Sequence, residues 1–160
     1  MKYIIHLGIC GFGNQLLGFK ELCILNKYLN RKIILPIFIP HGTIRYSSKN
    51  YYDFNEIFDI EHFKKFYDYE IFQNIKNIKI NQIYNIRSRN EDNLTLPYFN
   101  LHREYYNIDN NIKKIYLNTT FIRNINDINE LKLVNDDILV LLGTFNSIQL
   151  STCMKNGCLN

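Results

Sequence analysis

The sequence predicts an α/β domain in which a parallel β-sheet is flanked by helices. Three observations carry that expectation. The first 40 residues read as strand, glycine-containing loop, apolar helix and strand. The run Asp137-Ile-Leu-Val-Leu-Leu-Gly143 is continuously apolar, as a parallel strand covered on both faces must be. Between them, short strand-like runs alternate with helical stretches. A chain of 160 residues is long enough to bury a core of its own.

The elements follow in order. Lys2 to Leu7 is β-branched and aromatic and reads as the first strand. Leu16, Phe19, Leu22, Cys23, Ile24, Leu25 and Leu29 give a broad helical apolar face. Asn30-Arg31 ends that helix, and Lys32 to Leu35 forms a short strand stopped by Pro36. Such a βαβ unit pairs its strands in parallel through a right-handed crossover. Phe38 to Asp53 is loop-like, with Pro40-His41-Gly42 and Ser47-Ser48-Lys49-Asn50. Glu61 to Phe66 is a predicted short helix after Asp59. Ile75 to Ile86 alternates through Ile78, Ile80 and Ile83 and reads as strand. Arg87 to Arg103 is polar and reads as a long loop. Ile112 to Leu117 and Ile138 to Leu142 are the last two strands, with a weak helix, Ile125 to Leu133, between them. No repeat or linker divides the chain. Residues 1–150 are expected to form one domain, with 151–160 as an irregular tail.

Hydrophobic residues make up 46% and charged residues 21%, values ordinary for a globular domain. The net charge of +4 is mild, and the Lys and Arg residues are scattered. Without a basic stripe, nucleic acid is not an expected partner. The charge favours a small anionic ligand such as a sugar nucleotide. The apolar run from Tyr3 to Ile9 contains His6 and leads directly into the glycine loop, so it reads as a strand and not as a signal segment. No run approaches the roughly 18 apolar residues of a membrane span. The expected setting is therefore cytoplasmic, with no membrane partner. Cys10, Cys23, Cys153 and Cys158 form no Cys-x-x-Cys pair and carry no histidine at zinc spacing. No metal site is expected, the thiols should be reduced, and Cys23 reads as a small core residue.

The stretch Cys10-Gly11-Phe12-Gly13-Asn14-Gln15 concentrates the functional question. It fails the dinucleotide fingerprint because Leu16 stands where a third glycine is needed. It fails the P-loop pattern because Phe19 and Lys20 are out of step after Gly13 and Gly18. On physical grounds, Gly11 and Gly13 allow positive φ and close backbone approach to a ligand. Asn14 is the expected N-cap, and a helix start there attracts a diphosphate. A tight capped turn without a ligand explains the same residues. Among the histidines, His6 in the first strand reads as structural. His41, past the end of the second strand, is the acceptor-side candidate. His62 and Phe63 read as packing, and Arg45 and Arg87 as surface residues.

Gly11-Phe12-Gly13-Asn14-Gln15-Leu16-Leu17-Gly18-Phe19, followed by Leu29-Asn30-Arg31-Lys32-Ile33-Ile34-Leu35-Pro36, resembles the start of the GDP-fucose protein O-fucosyltransferase family. Phe54-Asn55-Glu56-Ile57-Phe58-Asp59-Ile60-Glu61-His62-Phe63 is similar to that family's F-x-x-x-F-D-x-x-x-F segment. Val140-Leu141-Leu142-Gly143-Thr144-Phe145 resembles its strand closing the first half. The resemblance implies a Rossmann-like domain equivalent to the first half of a two-domain GT-B glycosyltransferase. It implies GDP-fucose as donor, inverting transfer of fucose to a Ser or Thr hydroxyl of a protein acceptor, and no metal. Gly11, Phe12, Gly13 and Asn14 would then be the donor-binding residues, with Asn14 at the sugar-phosphate end. The family's second-half His-x-Arg motif, whose Arg steadies the departing GDP, has no counterpart in the sequence. The expectation is therefore a fucosyltransferase-like chain that is incomplete or inactive alone and partnered by a separately encoded C-terminal half. The alternatives are a non-catalytic remnant or binding domain of the same fold, and a fragment of an α-1,2-fucosyltransferase acting on glycans.

Overall fold

Six strands, all parallel, form a single sheet in the computed structural model, which describes residues 1–8, 11–39, 50–86, 99–117, 122–143 and 148–151. The strands are β1 (Tyr3–Gly8), β2 (Lys32–Ile34), β3 (Tyr69–Glu70), β4 (Gln82–Asn85), β5 (Lys113–Tyr116) and β6 (Ile138–Gly143). Their spatial order is β3-β2-β1-β6-β4-β5. The chain thus builds outward from β1 on one side, and β6 returns last to lie between β1 and β4. That reversal beside β1 is a topological switch point, where open α/β sheets hold ligands at the carboxyl ends of their strands. The architecture is α/β and Rossmann-like, with helices flanking an all-parallel sheet.

The apolar residues of the strands alternate between two layers. Ile4, Leu139 and Leu141 pack with α1 (Phe12–Leu29) and α5 (Ile125–Lys132). Ile5, Leu7, Val140 and Leu142 pack with Phe72, Phe99 and Tyr106 on the opposite face. All six residues of β6 are buried, as its unbroken apolar sequence requires. Cys23 lies in the α1 layer, and burial pushes its thiol up to about 12, so it stays a protonated core residue.

Several boundaries differ from the sequence reading. The expected helix at Glu61–Phe66 is α3 (Ile60–Phe63), and a second short helix, α2 (Phe54–Ile57), precedes it. Each begins at an Asp: the Glu56 carboxylate accepts from the Asp53 N–H at 2.9 Å, and Asp59 accepts from the His62 N–H at 3.1 Å. The expected strand from Ile75 to Ile86 contracts to β4, because Ile75 and Ile80 reach the core from irregular backbone after a 3₁₀ turn at Phe72–Asn74. The end of the expected loop is α4 (Phe99–Tyr105). Burial of Phe99, His102 and Tyr106 against the sheet outweighs that segment's polar sequence. Near the end of the chain, Ile148 and Leu150 are fully buried in the α1 layer. The Glu21 carboxylate accepts from both the N–H (3.0 Å) and the hydroxyl of Ser151.

Candidate functional site

The carboxyl ends of β1 and β6 lie side by side, with Gly8 paired to Gly143. From β1 the chain passes to Gly11, and α1 begins at Phe12. The first bond of the helix is donated by the Gln15 N–H to the Gly11 carbonyl at 3.0 Å. Helix geometry therefore leaves the N–H groups of Phe12, Gly13 and Asn14 without partners inside the helix. They sit at the positive end of an 18-residue helix. The four sequence-predicted donor residues, Gly11, Phe12, Gly13 and Asn14, thus form one turn at the carboxyl edge of β1.

Two details of that turn correct the sequence reading. Asn14 is not the N-cap: Gly11 occupies that position and Asn14 is the third helical residue. The helix starts earlier because the chain is already helical at Phe12, whose ring packs edge-on against Phe38 at 5.8 Å. Nor does either glycine use positive φ. Gly11 has φ −54° and ψ 160°, and Gly13 is helical. A Cβ added at Gly13 would meet nothing within 4 Å, so packing gives no reason for glycine there. His41, the acceptor-side candidate, lies outside the described residues, as do Cys10, Arg45, Arg87, Cys153 and Cys158.

Gln15, next in sequence, is a positioning residue that the sequence reading passed over. Its side-chain amide donates to the Ile39 carbonyl at 2.6 Å and accepts from the Ile39 N–H at 2.9 Å. One side chain thus pins the segment after β2 to the first turn of α1. It also covers Gly8, where an added Cβ would come within 3.0 Å of the Gln15 Cγ. Glycine at position 8 is therefore a packing requirement of the turn.

Two buried histidines complete the edge. His102, on α4, donates from Nε2 to the Gly8 carbonyl at 2.7 Å. A neutral ring that donates from Nε2 carries its lone pair on Nδ1, and this buried Nδ1 has no hydrogen-bond partner among the described residues. His6, on β1, hydrogen-bonds the Gly143 backbone, and its own buried Nε2 has no partner among the described residues. Burial pushes both imidazoles down to about 4, and His6 is lowered further by the nearby His102. Both rings are thus neutral at physiological pH, with two unpaired ring nitrogens where Gly8 and Gly143 meet. In the sequence His102-Arg103 reads only as falling short of a His-x-Arg motif, and the buried place of His102 is missed because its helix is. Its spacing from Phe99 and Tyr106, three and four residues, was the available signal.

Among the described residues, no three His, Cys, Asp or Glu side chains come together as a group that could hold a metal ion. Among the same residues, no helix is long and apolar enough to cross a membrane. Comparison of the chain with family models, with curated proteins and with solved structures returns no match.

Proposed function

We propose that the chain is a sugar-nucleotide-binding domain of fucosyltransferase type, with GDP-fucose as its ligand and the first turn of α1 as the diphosphate site. The observation that carries this reading is Gly13. A helical glycine costs about 0.5–1 kcal/mol relative to alanine, and here no neighbour requires it. Close approach of a ligand to the backbone does. The three N–H groups beside it and the helix dipole suit an anionic group, and the turn opens at the switch point of the sheet. The Gly-Phe-Gly-Asn-Gln sequence at this turn, similar to that of the O-fucosyltransferases, selects GDP-fucose among such anions.

In this reading the domain is the first half of a GT-B arrangement. Developing charge on the departing GDP requires placed cations, and the family's arginine for that role belongs to the second half. Transfer to a Ser or Thr hydroxyl is then a property of the two halves together. Calorimetric titration of the chain with GDP-fucose tests the donor assignment. Saturable binding is expected, weakened about tenfold in Asn14→Ala with little change in thermal stability, because the Asn14 side chain makes no hydrogen bond to a described residue. A chain that binds no GDP-fucose, or an Asn14→Ala variant that loses stability but not affinity, would leave the turn a structural device and favour a non-catalytic role.

A further inference from the structure

A cleft of about 260 Å³ lies one strand along from the α1 turn, at the carboxyl ends of β2 and β3. The pairing of these strands continues to Leu35, whose N–H donates to the Glu70 carbonyl at 3.0 Å. The chains then diverge at Pro36 and Ile71, which form part of the cleft wall. Leu35, Ile37, Phe54 and Ile60 extend this apolar wall, and four polar side chains join it: Asp53 and Asn55 from the start of α2, Gln73 from the 3₁₀ turn, and Tyr105 from the end of α4. They come from three separate stretches of chain and converge on one space.

The chemistry of this lining is selective. Among the described residues no Lys or Arg borders the cleft, and Asp53 repels anions, so a phosphate is disfavoured. Asn55 and Gln73 each offer a donor and an acceptor, while the Asp53 carboxylate, which also accepts from the α2 backbone, has further lone pairs to accept with. Paired hydroxyls, which donate and accept together, match that set. The Tyr105 hydroxyl is held in its protonated form by burial and by Asp53, and it shares a hydrogen bond with Gln73 that fixes both groups. Pro36, Ile71 and the Tyr105 ring offer apolar faces to C–H groups. Tyr51 packs edge-on against Tyr105 at 5.3 Å and supports that ring. The volume is below the roughly 300–1,000 Å³ of sites for drug-sized ligands, which suits one ring and not a nucleotide.

We infer that this cleft binds an uncharged sugar ring through Asp53, Asn55, Gln73 and Tyr105. The inference is independent of the donor reading of the α1 turn. The test is protein-observed NMR on the whole chain, titrated with the methyl glycosides of galactose, mannose, fucose and N-acetylglucosamine, and with glucose 6-phosphate. At least one neutral glycoside is expected to give saturable shifts of the Asn55 and Gln73 side-chain amides and the Ile71 amide. Affinity should fall about tenfold in Gln73→Ala and in Asn55→Ala and stay unchanged in Asn14→Ala. Gln73 and Asn55 are exposed, so both variants should retain the wild-type spectrum elsewhere. The inference is overturned if no glycoside shifts these signals, if the shifts persist unchanged in both variants, or if glucose 6-phosphate binds as well as the neutral sugars.

Discussion

The two edges of the sheet handle buried polar groups in opposite ways. At the amino edge, Arg31 is buried after the turn that ends α1. Its guanidinium donates to the carbonyls of Tyr3 at 3.1 Å, Asp136 at 2.7 Å and Val134 at 2.8 Å. Asn26 closes the turn by accepting from the Arg31 N–H at 3.1 Å and donating to its carbonyl at 2.5 Å. At the carboxyl edge, His6 and His102 are as deeply buried, yet each leaves a ring nitrogen unpaired among the described residues. Bonds to three carbonyls stabilise the buried guanidinium, whereas unpaired buried nitrogens cost stability. The contrast assigns the amino edge to holding the fold and the carboxyl edge to a task that stability alone does not explain.

Lowering the pH should expose that contrast most strongly. Both histidines have folded values near 4, below the ordinary 6.5, so the unfolded chain binds more protons between those values. Their contribution is complete above about pH 6.5 and is lost as the pH falls through 4, on the order of 3 kcal/mol for each imidazole. Urea denaturation from pH 7 to pH 4 should show the loss, and His102→Leu should flatten it. An unchanged slope in that variant would remove His102 from the account.

Arg31→Met attacks the other edge. It leaves buried carbonyls unpaired and should cost about 3–5 kcal/mol at neutral pH, read as a lower urea midpoint. Its pH slope between 7 and 4 should match the wild type, since the guanidinium does not titrate there. A smaller effect is expected for Gly8→Ala, which forces its methyl against Gln15 and should cost about 1–3 kcal/mol in thermal unfolding. Gln15→Ala made alongside it should relieve most of that added clash. The smallest change has the opposite sign: Gly13→Ala should stabilise by up to about 1 kcal/mol while reducing GDP-fucose affinity. Stabilisation with unchanged affinity would make Gly13 incidental.

What could be read from sequence depended on how local the cause was. The apolar periodicity of α1 and the unbroken run of β6 reveal themselves within a few residues. The Phe54–Phe63 segment was legible as a motif, but its physical content is two capped turns that stack Phe54, Phe58 and Phe63 on Phe19, with ring centroids of Phe54 and Phe63 at 5.1 Å. α4 was illegible because one of its core-facing residues is His102, which pattern reading counts as polar. Arg31 looked like a helix terminator because the carbonyls of Val134 and Asp136 lie at the far end of the sequence. The cleft beside β2 was invisible for the same reason, since its polar groups meet only through the fold.

The order of the strands has a consequence for how the chain is made. The pair at the middle of the sheet, β1 and β6, joins residues 3–8 to residues 138–143. During synthesis β1 must wait, its apolar flank open, until residues 138–143 have left the ribosome. Long-range parallel pairing of this kind is slow and exposes the nascent protein to aggregation. Early-formed α1, lying along β1, is the natural shield in that interval, so substitutions on its sheet-facing side should reduce yield in the cell beyond what equilibrium stability predicts.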